Sequence, residues 1–222
     1  MANEPGFQYH PPQDPLKILH VDKDILCVVK PSGLLSVPGR GEQRHDSLYT
    51  RVLKEYPLAQ MVHRLDMDTS GVMIIALRRK AERELKAQFR ARKIQKRYEA
   101  IVFGHPNEKG TIDAPLVPHP TQKMRYCVHE DGKSSVTNFT RLSSNETCSL
   151  LALFPLTGRS HQLRVHLLHI GCPIVGDRFY APLKILEMGE RLLLHATDIR
   201  CTHPYSGEPL HFTTASKFAT WI

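Results

Sequence analysis

The sequence predicts an α+β fold around a mixed or antiparallel central sheet. Three observations carry that expectation. Apolar runs of strand length outnumber amphipathic helical stretches, the helical stretches are scattered among those runs, and turn residues punctuate the chain between them. With 222 residues the chain can build one domain with a sizeable core, and 41% hydrophobic with 23% charged residues is ordinary for a globular protein.

Residues 1–15 read as an N-terminal arm, with acids and prolines but no basic or apolar leader segment. A single domain is expected over residues 16–222. Residues 16–21 and 25–29 are apolar runs around Asp22-Lys23-Asp24, the pattern of a hairpin. Lys30-Pro31-Ser32-Gly33 breaks the second strand, and Val37-Pro38-Gly39 turns again. Residues 46–56 read as a helix capped by Asp46 and stopped by Pro57. Residues 72–77 are an apolar run short enough for a buried strand. From 80 to 92, Ala81, Leu85 and Phe89 recur at four-residue spacing, which predicts an amphipathic helix with basic residues on its other faces. Strands are expected at 98–103, at 136–142 after the Asp131-Gly132 turn, and at 150–154. Residues 160–170 read as a short helix with Ser160 as N-cap and Gly171 just past its end. Residues 191–201 and 209–213 read as closing strands around Tyr205-Ser206-Gly207.

Charge narrows the class of partner. The formal net charge is +8, and residues 78–97 hold ten Lys or Arg against two Glu, which leaves twenty basic and twenty acidic residues elsewhere. A concentrated basic element on a neutral body is a footprint for a polyanion. Two acids provide few i,i+4 partners within it, and it is poorly suited to membrane insertion. No apolar run reaches bilayer-spanning length. The five cysteines, at 27, 127, 148, 172 and 201, are odd in number and widely spaced, without a C-x-x-C pair. That argues against a disulfide framework or a zinc site and for reduced thiols in the cytoplasm.

Three segments are rich enough in polar groups to carry chemistry. Residues 61–77, MVHRLDMDTSGVMIIAL, place Asp66, Asp68, Thr69, Ser70 and Gly71 directly before an apolar run. Sites are often built at the mouth of a core strand, but the same residues also make an ordinary capped turn. Spacing does not choose between Asp66 and Asp68. Residues 157–169, TGRSHQLRVHLLH, put His161 and Arg164 on one helical face. His161, His166 and His169 have no carboxylate or cysteine at ligand spacing, so packed or hydrogen-bonded histidines are expected rather than a metal. Arg159 and Arg164 offer a phosphate contact or a partner for a carboxylate. Tyr98 opens a strand, where an aromatic is usually core, yet beside Lys96-Arg97 it is placed to stack on a base.

Together KPSGL (30–34), HRLDMDTSG (63–71), the Tyr of QKRYEA (98), GRSHQLRVH (158–166), GDRFYA (176–181) and LLLHA (192–196) resemble the ordered motifs of RluA-type pseudouridine synthases. The resemblance runs from about residue 16 to 213. It implies a mixed sheet split by a cleft, and an enzyme that isomerises uridine in RNA with neither cofactor nor metal. Residue by residue, it maps the catalytic carboxylate to Asp66, the active-site tyrosine to Tyr98, the basic partner to Arg164 with Arg159 as second choice, and the apolar floor under the base to Leu194. The opening segment resembles the dual-specificity branch of that family, which acts on a tRNA anticodon stem-loop and on a 23S rRNA loop. Many relatives carry an N-terminal S4 RNA-binding domain, for which there is no room before Lys30. The RNA would then be held by the catalytic domain, with Arg83, Lys86, Arg90 and Lys93 of the basic helix as candidates.

Those assignments make a consistent mechanism. A carboxylate is ionised at neutral pH and needs no activating base, and Arg164 would keep it charged and aimed. The target nucleotide must be flipped out of its stack. Arg64, next to Asp66, would fill the space it vacates, and Tyr98 would stack on the base and help remove its C5 proton. Thr69-Ser70-Gly71 are expected only to shape the turn. A monomer is expected. The alternatives are an rRNA-only or tRNA-only synthase, a non-catalytic RNA-binding protein of the same fold, and a glycoside-cleaving hydrolase using Asp66 with Asp68.

Overall fold

A computed structural model describes residues 8–222, so the first seven residues of the expected arm lie outside the described residues. Residues 8–15 hold no regular element but are tied down. The Tyr9 hydroxyl donates to Asp46 O and accepts from Leu35 N, both at 2.9 Å, and Arg51 Nη2 donates to Pro12 O at 2.6 Å.

The expected hairpin is present as β1 (Lys17–Val21) and β2 (Ile25–Lys30), paired antiparallel. Asp22 makes the turn, its Oδ1 accepting from the backbone of Asp24 and Ile25 at 2.7 and 2.8 Å. The first helix, α1 (Leu48–Glu55), begins one residue later than Asp46 would place it. Its cap is Ser47, which exchanges hydrogen bonds with Thr50 in a capping box. Asp46 is occupied otherwise, gripping Arg51 through both oxygens at 2.8 and 2.7 Å.

There follow β3 (Gln60–Met61), β4 (Ser70–Ala76), α2 (Arg79–Arg90) and β5 (Gln95–Phe103). Within α2, Ala81 and Leu85 are buried and Phe89 packs against the same core, as their spacing predicts. Next come β6 (Lys109–Asp113), β7 (Leu116–Pro118), β8 (Tyr126–Val128), β9 (Val136–Ser144) and β10 (Cys148–Pro155). The chain closes with α3 (Gln162–His169), α4 (Leu183–Leu186), β11 (Leu194–Thr202) and β12 (Pro209–Thr213). Gly171 follows α3 with φ +74°, the left-handed stop expected of it. The N-cap of α3 is His161, not Ser160.

Ten strands join one sheet among the described residues, in the order β1-β2-β4-β11-β5-β10-β9-β6, with β3 on β4 and β12 on β11. Every pairing is antiparallel except β4 with β11. That parallel contact is brief, Ser70 with His195 and Gly71 with Ala196, before β3 takes the free side of β4 and β12 that of β11. The mixed sheet is therefore forked into two antiparallel halves joined at one point. Gly71 makes the junction: it has φ +123°, and a Cβ there would lie 2.7 Å from Ala196 Cα and closer still to its N and O.

Among the described residues, two of three buried apolar clusters meet at Tyr98. One is built from β2, β4, α1 and α2, the other from β5, β10, β11 and α3, and Tyr98 packs against both. Helix α3 has no one-sided apolar stripe, because every residue from Gln162 to Leu167 is buried.

Candidate active site

Asp66 sits on the irregular segment between β3 and β4, four residues before the fork. The KPSGL segment fixes that loop through its backbone. Lys30, fully buried, donates through Nζ to the carbonyls of Pro31, Leu34 and Met67 at 2.7–2.8 Å. Three carbonyl acceptors call for three N–H donors, which only the ammonium has. Burial opposes that charge and pulls the amine down to about 7, while Asp68 and Asp66 pull it back up. Ser32 Oγ donates to Asp68 O at 2.7 Å, and Gly33 N to Met67 O at 2.9 Å. Ser36 Oγ holds Leu65 by both its carbonyl and its amide. His63 pins the front of the loop, accepting from Ile74 N at 3.0 Å and lying 5.0 Å from the Phe89 ring. Burial pushes its pKa down to about 3, so it is a neutral acceptor.

Geometry separates the two aspartates that spacing left equal. Arg164 Nη1 donates to Asp66 Oδ2 at 3.2 Å. Asp68 Oδ2 is instead paired with Arg178 Nε at 2.9 Å. The two carboxylates thus serve different partners.

Arg164 is 2% exposed. It is held by Asp177, a residue of the GDRFYA segment to which sequence reasoning assigns no role. Asp177 takes Nε at 2.8 Å and Nη2 at 2.7 Å, and its Oδ1 also accepts from Phe179 N at 2.9 Å. Burial works against the guanidinium charge, but the hydrogen bonds and charges of Asp177 and Asp66 outweigh it and raise its pKa further. Arg159 lies elsewhere: it is exposed, and its Nε donates to Ser134 O at 3.2 Å.

Tyr98 and Leu194 come from adjacent central strands. β5 and β11 pair Tyr98 with Ala196 and Ala100 with Leu194, so these four side chains share one face of the sheet. Leu194 is 3% exposed and lies in the apolar cluster with Ala100. Burial raises the Tyr98 hydroxyl pKa, and the charge of Asp66 adds to the shift. The raised pKa keeps the phenol protonated through the neutral range. Arg64 is exposed beside Asp66.

Ser70 does more than shape a turn. It lies in β4, and its Oγ meets His195 Nδ1 at 2.7 Å and accepts from Arg191 Nη2 at 2.8 Å, tying the two arms of the fork. His166 is a core histidine, with Nδ1 at 2.9 Å from Thr137 Oγ1 and Nε2 at 3.0 Å from Ala114 O. Of the four basic candidates, Arg83 and Arg90 are exposed on α2, Lys93 is exposed just past its end, and Lys86 is paired with Glu82 at 2.7 Å.

Metal-ligating groups cluster at Asp22, Asp24 and His203, away from Asp66. His203 Nδ1 accepts from Tyr205 N and Ser206 N at 3.1 and 3.0 Å, so its proton resides on Nε2, which approaches Asp22 Oδ2 at 3.2 Å. That nitrogen has no lone pair to offer a cation.

The chain is similar to known proteins over most of its length. The family model described as RNA pseudouridylate synthase matches residues 24–169. The dual-specificity RNA pseudouridine synthase RluA of Escherichia coli K12 is 49% identical over 217 residues, covering 95% of this chain and 98% of that protein. The protein of the same name from Haemophilus influenzae is 44% identical over 221 residues, covering 96% and 99%. Among solved structures, human RNA pseudouridylate synthase domain containing 1 matches with a TM-score of 0.76 at 29% identity, covering 96% of this chain and 86% of that one. Human domain containing 4 matches at 0.70 and 26%, covering 90% and 88%.

Proposed function

The chain belongs to the RNA pseudouridylate synthase family, and from that premise we propose that it isomerises uridines in two classes of structured RNA, a tRNA anticodon stem-loop and a 23S rRNA loop, with Asp66 as the catalytic carboxylate. Near-complete coverage at 49% identity to a dual-specificity synthase supports the substrate range. The observation that carries the site is the Asp177–Arg164–Asp66 chain, which presents one charged carboxylate at the fork of the sheet.

The reaction breaks the C1′–N1 bond and forms C1′–C5. The C5 proton leaves with the help of Tyr98 and N1 gains one, so nothing is oxidised and no atom is added. Asp66 supplies the ionised oxygen, held by Arg164. The uridine is flipped into the cleft at a cost of a few kcal/mol, less from a loop than from a duplex. Exposed Arg64 fills the vacated stack, Tyr98 stacks on the base, and Leu194 lies beneath it. Arg83, Arg90 and Lys93 meet the phosphates, with Arg159 as a further contact and Lys86 a weaker one. The enzyme works as a cytoplasmic monomer, with one catalytic domain from residue 16 onwards that also holds the RNA.

Asp66→Asn tests the assignment. Pseudouridine formation should be abolished while RNA affinity stays within a few-fold; a variant that still forms product removes Asp66 from the chemistry. Mapping pseudouridine in total RNA from cells lacking the gene tests the range: sites should disappear from both tRNA and 23S rRNA, and loss from one class alone makes the enzyme single-specificity.

A further inference from the structure

His161 is a neighbour of Asp66 that the chemistry above leaves unused. Its backbone has φ 55° and ψ 15°, the left-handed region that a residue with a Cβ enters at a cost. The side chain makes no capping hydrogen bond to α3, so helix initiation does not explain the conformation. The imidazole lies instead among aromatic rings, stacked on Phe179 and edge-on to Tyr126 and Tyr180, each centroid 5.6 Å away. Its Nδ1 is 2.7 Å from the Tyr180 hydroxyl, and its Nε2 is 3.9 Å from Asp66 Oδ2.

One tautomer suits both neighbours of the ring. The Tyr180 oxygen accepts from Tyr126 N at 2.9 Å, so its single hydroxyl proton is free to go to His161 Nδ1. An imidazole that accepts at Nδ1 carries its own proton on Nε2. The opposite tautomer would turn a lone pair towards a carboxylate. Burial lowers the pKa of the ring, which Asp66 only partly opposes, so the neutral form is favoured.

Arg164 Nη1 and His161 Nε2 both address Oδ2 of Asp66, and among the described residues no hydrogen bond reaches Oδ1. We propose that His161 is a positioning residue: set by Tyr180, its Nε2–H joins Arg164 in holding Oδ2, so that Oδ1 is the oxygen that meets the nucleotide. The separation must close by about 1 Å to reach hydrogen-bond length, and catalytic hydrogen bonds are commonly long until substrate binds. The inference rests on Asp66 being the catalytic carboxylate.

The test compares wild type, His161→Ala and His161→Gln in single-turnover pseudouridine formation on a stem-loop RNA that the wild type modifies. Ala and Gln both carry a Cβ and share the left-handed backbone cost, so that cost cancels. The Ala variant should slow the chemical step about 10- to 100-fold, with the half-saturating RNA concentration within about threefold. Gln, whose amide N–H reaches where Nε2–H stood, should recover most of the rate. Tyr180→Phe should slow the wild type but add nothing in the Ala background. The proposal is overturned if Gln is as slow as Ala, if Ala keeps the wild-type rate, or if the whole loss is in RNA affinity. Asp66→Asn is measured alongside. An active Asn variant removes the Asp66 assignment and this inference together; an inactive one beside wild-type rates in the His161 variants removes this inference alone.

Discussion

Asp177 holds Arg164 by both carboxylate oxygens, at 2.8 Å to Nε and 2.7 Å to Nη2, and the remaining nitrogen, Nη1, reaches Asp66 Oδ2 at 3.2 Å. The aim of the Asp66 carboxylate is thus set by a second carboxylate that no solvent touches, its side chain being 0% exposed.

That arrangement makes Arg164 a stability residue as well as the partner of the proposed catalytic carboxylate. Arg164→Met should strand Asp177 as a buried charge and cost about 3–5 kcal/mol. For a chain of this size that is a fall in Tm of about 6–20 °C. Arg164→Lys keeps the charge but cannot grip two carboxylates in fork geometry, so it should melt higher than the Met variant yet remain slow. Thermal melts and single-turnover rates check both; a Met variant that melts with the wild type would show that Asp177 needs no partner.

The sequence made some of this legible and hid the rest for physical reasons. Motif order picked out Asp66, Tyr98 and Arg164 because the residue types and their separations are specific. The hairpin at Asp22, the amphipathic α2 and the buried β4 declared themselves through periodicity. The strands β6, β7 and β8 did not: two of them span three residues, too few for a period, among prolines and histidines. Nor could spacing reveal that Asp68 is spent on Arg178, or that Asp177 orients Arg164, since both pairings depend on the folded chain. In helix α3, Gln162, Arg164 and His166 are buried because each has hydrogen-bond partners, which a hydrophobic pattern cannot show.

Gly71 should tolerate no side chain. Gly71→Ala places a Cβ against the Ala196 backbone in a conformation, φ +123°, that alanine avoids. The fork can accommodate it only by parting β4 from β11. A destabilisation of more than about 4 kcal/mol is expected, read as reduced soluble yield or an early urea midpoint. A variant with the wild-type midpoint would mean the two halves of the sheet are not locked at this point.

His63 makes stability fall in mild acid. Its folded pKa is pushed down to about 3 from the ordinary 6.5. As pH drops below 6.5 the unfolded chain takes up a proton at this residue and the folded chain does not. Folding therefore loses about 1.4 kcal/mol per pH unit from His63 until pH nears 3, and regains it as pH rises. His195, pushed down to about 4 by burial with Arg191 adding to the shift, acts in the same direction. Glutamine at 63 can still accept the Ile74 amide but cannot titrate. Urea unfolding of His63→Gln between pH 6 and 5 should show a slope shallower than the wild type by about 1.4 kcal/mol per unit. Equal slopes would mean that His63 is charged in the folded protein.

The basic helix and Lys93 just past its end should contribute charge to RNA binding in proportion to exposure. Arg83, Arg90 and Lys93 are exposed, while Glu82 already pairs with Lys86 at 2.7 Å and Arg79 at 3.2 Å. Removing one side chain from a phosphate should flatten the dependence of log affinity on log salt by about 0.7–0.9. Reversing Arg83, Arg90 and Lys93 to Glu should therefore reduce that slope by about 2–3, and reversing Lys86 alone should change it least of the four. Asp66 is held by Arg164 and not by this helix, so the single-turnover rate at saturating RNA should stay near wild type. An unchanged slope in the triple variant would place the RNA on another face, and a slowed chemical step at saturation would tie the helix to the flipped uridine instead of the phosphates.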